Sequence, residues 1–284
     1  MSGTFPQPWW TVAGAGTVVR MRALWRELTD LVLPVGCAGC GLPRERGPLC
    51  GRCRGRLAAE PCRVWPRPVP PGLPVVYGAA AYADEVRELL LAHKERGALR
   101  LARPLGAVLA ETVRSAVRHR GPPGGRGRGG RGDSGMNAGP GAAGARTGSG
   151  SGGAPPPGRP LALVAVPSSR RAVAARGHDP VRRMALAAAG ELRRTGRAVC
   201  VPLVLRQRRP VADQARLTAR QRLANLSGAL EAVPGSGRLL GRTEVVLVDD
   251  LMTTGASLVE AARAITAETG RRPVAAVVAV RTRR

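Results

Sequence analysis

Glu244-Val245-Val246-Leu247-Val248-Asp249-Asp250-Leu251-Met252-Thr253-Thr254-Gly255-Ala256-Ser257 is the stretch that decides the fold. Residues 245–248 are a continuous apolar run, as expected of a strand covered on both faces. Two acids end the run, a loop of small hydroxyl-bearing residues follows, and an Ala-rich helix is expected over residues 256–269. In an open α/β sheet, ligands sit beyond the carboxyl ends of the strands. A helix start offers unpaired N–H groups and partial positive charge, which suit a phosphate. Thr253, Thr254 and Ser257 add hydroxyl donors, and Gly255 lets the backbone come close. The candidate phosphate loop is therefore Thr253, Thr254, Gly255, Ala256 and Ser257. Asp249 and Asp250 are suited to accept hydrogen bonds from ribose hydroxyls. Adjacent carboxylates repel a bare phosphate, so a sugar or a metal must lie between them and its charge. A strand end with capping Asp and Thr residues explains one acid and one hydroxyl, but not the whole run.

On both sides of this stretch, apolar runs alternate with helical patterns. Strands are expected at residues 75–83, 161–166, 201–205 and 274–280. Asp84 is placed to cap a helix with Val86, Leu89, Leu90 and His93 on one side, and a second helix is expected over residues 99–118. A further Ala-rich helix is expected over residues 181–194, and residues 206–228 are a long polar stretch. Buried strands alternating with helices imply a parallel sheet with right-handed crossovers. Residues 121–160 are nearly all Gly, Ala, Pro, Ser and Arg. They lack the apolar surface to offset ordering entropy and are read as a disordered insertion. Its Gly/Arg repeats suit either a weak nucleic-acid contact or a tolerated linker.

Residues 20–34 read as a short amphipathic helix ended by Pro34. Cys37-Ala38-Gly39-Cys40 and Cys50-Gly51-Arg52-Cys53 follow. Two CxxC knuckles fit a structural zinc site, because each turn aims two thiolates at one ion and two turns complete a tetrahedron. Disulfides or redox-active thiols are the alternatives. A cytoplasmic location, the default for a chain with no secretory pattern, disfavours disulfides. Cys62 reads as a free thiol and Cys200 as a small residue beginning a strand.

The formal net charge is +26. It fits nucleic-acid binding, but also fits the Arg, Ala, Gly and Pro bias of a GC-rich coding sequence. Lys94 is the only lysine, which singles it out as a possible ligand contact made by a compact ammonium. Every aromatic residue (Phe5, Trp9, Trp10, Trp25, Trp65, Tyr77, Tyr82) precedes residue 83. That order argues against a base-stacking surface in the C-terminal half.

The run from Asp249 to Ser257 resembles the ligand loop of type I phosphoribosyltransferases. With the N-terminal helix and paired CxxC knuckles, the chain is similar to the ComF family, phosphoribosyltransferase-like proteins associated with natural competence. Residues 165–171 (Ala-Val-Pro-Ser-Ser-Arg-Arg), Arg176-Gly177, and Arg206, Gln214, Leu217, Arg220, Arg222, Asn225 and Leu226 carry further likeness. His178-Asp179-Pro180 departs from the family's Phe-Asn-Gln.

The resemblance implies a type I phosphoribosyltransferase-like domain over residues 74–284, interrupted at 121–160 and preceded by a helix (20–34) and a zinc module (35–66). It implies that phosphoribosyl pyrophosphate binds with magnesium. Asp249 and Asp250 would meet the ribose, residues 253–257 the 5-phosphate, and Ser168, Ser169 and Arg170 the pyrophosphate. Residues 206–226, with Arg206, Arg208, Arg209 and Arg220, would close over the site. An enzyme would transfer the phosphoribosyl group. The alternative is a non-catalytic adaptor that binds nucleotide or single-stranded DNA in DNA uptake and recombination. Possible partners are DNA and competence or recombination proteins.

Overall fold

The computed structural model describes residues 36–43, 47–119, 159–211 and 217–281. The helix expected over residues 20–34, nearly all of the 121–160 insertion, and Gln214 lie outside the described residues.

A six-stranded sheet organises the molecule. Its strands are β1 (Cys62–Val64), β2 (Val76–Ala81), β3 (Leu161–Ala165), β4 (Val199–Cys200), β7 (Glu244–Met252) and β8 (Val274–Val280). Their order is β1-β2-β8-β7-β3-β4. All neighbouring pairs are parallel except β1 with β2. The described residues thus form a mixed α/β fold with a mostly parallel sheet. Strands β5 (Leu205–Gln207) and β6 (Leu230–Ala232) form a separate antiparallel ribbon.

The continuous apolar strands find cover on both faces. Val246, Val248, Ala276 and Val278 face one core, while Val245, Leu247, Ala275 and Val277 face the other. The first core is closed by helices α2 (Asp84–Lys94), α3 (Ala102–Arg118) and α5 (Pro180–Arg194). Leu105, Leu109 and Val113 of α3 are wholly buried there; burying each such side chain is worth about 1.5–3 kcal/mol. Helices α3 and α5 cross closely at Gly106, where a Cβ would stand 2.4 Å from the Ala187 Cβ and 2.9 Å from the Ala188 backbone nitrogen. The second core is covered by α8 (Ala256–Thr269), through Leu258, Ala261 and Ile265.

The cysteine module is built into this body. Helix α1 (Gly51–Leu57) contributes Cys53 and Leu57 to the same core as α2 and α3. Arg52 and Arg56 of α1 both pair with Glu85 of α2, at 2.7 and 3.1 Å. Cys62 and Val64 pair with β2, so the module and the α/β sheet share a strand.

Three expectations need correction. No strand occupies residues 201–204: the chain leaves the main sheet after Cys200 and enters the β5–β6 ribbon at Leu205. Pro202 lies in this gap and has no N–H to give a ladder. Asp84 does not cap α2: Ala83 is the N-cap, and Asp84 is the first helical residue, with φ of +42°. Residues 99–101 form a 3₁₀ turn rather than the start of α3.

Candidate functional site

Strands β3 and β7 are neighbours, but the chain leaves β3 toward β4 and leaves β7 toward β8. Connections diverging in this way open a crevice at the carboxyl ends of the two strands. The last β3–β7 pair is Ala165 with Val248. Beyond it β7 runs on beside β8 alone, pairing Asp249 with Val277 and Met252 with Val280. The acidic pair therefore lies along the exit of β7. The 166–169 turn leaves β3 at the same end, where the Val166 N–H donates to the Val248 carbonyl at 2.9 Å.

Asp250 is 5% exposed, and its Oδ2 accepts a 2.9 Å bond from Lys94 Nζ. The structure thus joins the only lysine to the acidic run across 156 residues of sequence. Asp249 Oδ1 accepts the Asp250 N–H at 2.8 Å. Burial holds the Asp249 carboxyl well above the usual carboxylate range; the adjacent Asp250 charge adds to this, and Lys94 opposes it. For Lys94, burial alone favours the neutral amine, but Asp250 and Asp249 outweigh it and push the ammonium up.

Lys94 is held in place by the packing of α2. His93, beside it, is buried, and its Nε2 meets the Pro180 carbonyl at 3.2 Å. His178 Nε2 reaches the His93 carbonyl at 3.3 Å. Burial pulls the His93 pKa down, so it serves as a neutral packing group between α2 and α5. Helix α4 (Arg170–Arg176) ends at Gly177 in the left-handed region, with φ of +71°. Asp179 then caps α5 by accepting the Arg182 N–H at 3.1 Å, and Pro180 takes the first helical turn. His178-Asp179-Pro180, the departure from the family pattern, thus acts as a helix start and a clamp on α2.

The hydroxyl loop lies on the other side of the acidic pair. Gly255 is the N-cap of α8, with φ of +77°, and a Cβ there would stand 2.7 Å from Leu73 Cδ1. Glycine is required on both counts. The proline-rich linker between β1 and β2 crosses the loop at this point, with Pro66 and Pro70 close to Gly255. Thr254 Oγ1 accepts the Ala256 N–H at 3.5 Å. Arg222 of helix α6 (Ala219–Leu226) donates from Nη1 to Thr253 Oγ1 at 3.3 Å. Ala256 is buried and Ser257 half-buried in the first turn of α8. A cavity of about 480 Å³ opens beside the loop, lined by Trp65, Arg67, Arg222, Thr253, Thr254 and Arg281 among others.

Ser168 and Ser169 lie in the neighbouring turn after β3, and Arg170 begins the helix that follows. Ser169 Oγ caps α4 by accepting the Ala172 N–H at 3.2 Å, and Arg170 is exposed. Two arginines expected to close over the site have other work. Arg206 pairs with Glu231 across the β5–β6 ribbon at 2.8 Å. Arg209 donates to the Asn225 and Ser227 carbonyls at the end of α6. Trp65, Arg67 and Arg281 were not singled out as site residues by the sequence. The fold brings one ring of the N-terminal half, Trp65, to the cavity beside the hydroxyl loop.

Away from this crevice, Cys37, Cys40, Cys50 and Cys53 gather so that their sulfurs all lie within 4.8 Å of one another. Zinc–thiolate bonds of about 2.3 Å demand a tetrahedron with edges of about 3.8 Å, and Cys40 and Cys50 Sγ are already 3.6 Å apart. Cys37 Sγ accepts the Cys50 N–H at 3.3 Å, and Cys50 Sγ accepts the Cys53 N–H at 3.5 Å. Burial raises the Cys37 thiol, but backbone N–H groups outweigh it and bring it down to about 6. The cluster could hold a metal ion and is consistent with a structural zinc.

No protein-family model matches the chain, and no curated relative does. Among the described residues, no helix is long and apolar enough to cross a membrane.

Proposed function

We propose that the chain is a type I phosphoribosyltransferase-like protein of the ComF family that binds a ribose 5-phosphate group, as phosphoribosyl pyrophosphate with magnesium, in the crevice beyond β3 and β7. One observation carries this reading. An acidic pair, half-buried at Asp249 and buried at Asp250, and a Thr-Thr-Gly-Ala-Ser turn into a helix follow one another at the divergence point of a mostly parallel sheet. Asp249 and Asp250 would take the ribose hydroxyls. Thr253, Thr254 and Ser257, with the amides at the start of α8, would hold the 5-phosphate. Ser168, Ser169 and Arg170, at the end of β3 and the start of α4, would hold the pyrophosphate. Asp249 and Asp250 alone are too few ligands for an all-protein magnesium cage, so the ion fits as one that arrives with the pyrophosphate, whose charge it neutralises. Such a protein would work in the cytoplasm.

A non-catalytic ligand-binding adaptor in DNA uptake is the second reading. Lys94 favours it, because its ammonium already satisfies the Asp250 carboxylate without a ligand.

Calorimetric titration of magnesium phosphoribosyl pyrophosphate into the protein and into an Asp249→Asn/Asp250→Asn variant tests the site. Saturable binding that the variant loses is expected. No binding by folded, metal-loaded wild type would sink the proposal. Pyrophosphate release in the presence of an acceptor base separates the enzyme from the adaptor.

A further inference from the structure

The acidic pair at the exit of β7 already has a cation of its own. Lys94 Nζ donates to Asp250 Oδ2 at 2.9 Å, and Asp249 Oδ1 accepts the Asp250 N–H at 2.8 Å. One oxygen of each carboxylate is thus engaged within the protein. Among the described residues, Lys94 and Asp250 form no ion pair except with each other. The Asp250 side chain is buried and that of Lys94 half-buried, so salt screens them less than it screens a surface pair. Lys94 is the only lysine in a chain that otherwise uses Arg. A compact ammonium can sit on a single carboxylate oxygen, where a guanidinium brings a wide planar fork.

Lys94 is also anchored. It ends α2, and the residues on either side of it are tied to the segment after β3. His178 Nε2 meets the His93 carbonyl at 3.3 Å, and Arg176 Nε donates to Glu95 Oε2 at 3.0 Å. The backbone beneath the ammonium is therefore set, and only the side chain is left to order. Arg176 acts twice here: it takes up Glu95, the neighbouring carboxylate, and its own charge opposes the ammonium from that side. Both effects direct Lys94 to Asp250. A metal bonded at about 2.1 Å to Asp250 Oδ2 would stand within about 5 Å of Lys94 Nζ, since the lysine is 2.9 Å from that oxygen. Like charges at that range repel, and more so where water is partly excluded. Magnesium demands a near-octahedral shell and gives up its waters reluctantly, so it gains little from carboxylates whose oxygens are half engaged.

We propose that Lys94 is the resident counter-ion of the acidic pair: it keeps a divalent metal off Asp249 and Asp250, so that the pair meets its ligand through hydroxyl groups alone. Lys94 is then a positioning residue, which holds Asp250 in the charged, oriented form that accepts hydroxyl donors. Any magnesium is carried by the phosphates of the ligand and not by the protein. The identity of that ligand rests on the proposed ribose 5-phosphate site; the exclusion of metal by Lys94 does not.

A single lysine allows a direct test, because full-length protein isotopically labelled at lysine Cε gives one side-chain resonance, that of Lys94. Manganese(II), a paramagnetic stand-in for magnesium, is expected to leave this resonance sharp at millimolar concentration. Calorimetry with manganese alone then compares wild type with Lys94→Met, Lys94→Gln and Lys94→Arg. The two neutral variants gain a site at least about tenfold tighter than any in the wild type. Adding Asp249→Asn/Asp250→Asn removes that site, and Lys94→Arg, which keeps the charge, does not acquire it. Lys94→Gln retains a polar partner for Asp250 and carries the test if Lys94→Met does not fold. A wild-type resonance broadened by manganese, and sharp again in Asp249→Asn/Asp250→Asn, overturns the proposal. Neutral variants that bind manganese no better than wild type overturn it as well. Ribose 5-phosphate titrated into wild type with and without magnesium is expected to bind equally in both. No binding of ribose 5-phosphate overturns the proposed ligand site and leaves the role of Lys94 standing.

Discussion

Replacing Lys94 by Met removes the cation facing the acidic pair while keeping a long apolar stem. Stripping one partner from a fully buried ion pair costs about 3–5 kcal/mol. Asp250 is buried, but the Lys94 side chain is 34% exposed, so solvent takes up part of the loss. The expected cost at pH 7.5 is about 2 kcal/mol. The pH dependence carries the stricter test. Asp249 is already raised by burial and by the Asp250 carboxylate, and Lys94 lowers it; without the ammonium it rises further. A raised carboxyl makes the native state take up protons before the unfolded chain does, so acidification relieves the strain. The stability deficit of Lys94→Met is therefore largest at neutral pH and shrinks toward pH 5. For Lys94 itself the native pKa is raised. Its contribution is complete below its unfolded value of about 10.4 and is lost as pH rises through the native value. Urea denaturation of wild type, Lys94→Met and Lys94→Arg at pH 7.5 and pH 5 measures this. A deficit below about 0.5 kcal/mol at pH 7.5, or one of equal size at both pH values, would mean that Lys94 does not offset the charge of the acidic pair.

Three further outcomes are expected. Gly106→Ala pushes a methyl into the Ala187 Cβ and the backbone of α5; it destabilises by about 1–3 kcal/mol in denaturant titration, although alanine is the better helix former. Glu260 is buried and accepts from Leu230 N–H and Arg263. Burial would raise its carboxyl, but these donors hold it low. Its stabilisation is thus present above the ordinary value of about 4.3 and lost as pH falls below it, and Glu260→Gln costs about 1–2 kcal/mol at pH 7 while losing less between pH 5 and pH 3. Metal analysis of the purified protein finds about one zinc per chain, and chelation lowers the melting temperature because Cys53 and Leu57 share a core with α2 and α3.

What could be read from the sequence follows the range of the interactions. Helix α8 and strand β8 lie where the sequence places them, because Gly255 and Gly270 bound the one and an unbroken Val/Ala run forms the other. The four cysteines announce their cluster through spacing alone. Local reading failed where tertiary pairing decided. Residues 201–205 look like one strand, but the main-sheet strand ends at Cys200 and the chain pairs again only from Leu205, with Leu230–Ala232. Lys94 stood out by its rarity, yet its partner lies 156 residues away. Arg222 carried part of the family likeness, but nothing near it in the sequence pointed to its bond with Thr253. Trp65 was visible as an isolated ring after the cysteine module, but only the path of the proline-rich linker over Gly255 brings it to the hydroxyl loop.

A crystal structure of the protein soaked with phosphoribosyl pyrophosphate and magnesium decides whether the crevice beyond β3 and β7 is the ligand site. The 5-phosphate is expected within hydrogen-bond reach of Thr253, Thr254 and Ser257, with the ribose hydroxyls on Asp249 and Asp250. Ligand density elsewhere, or an empty crevice at saturating ligand, would contradict it.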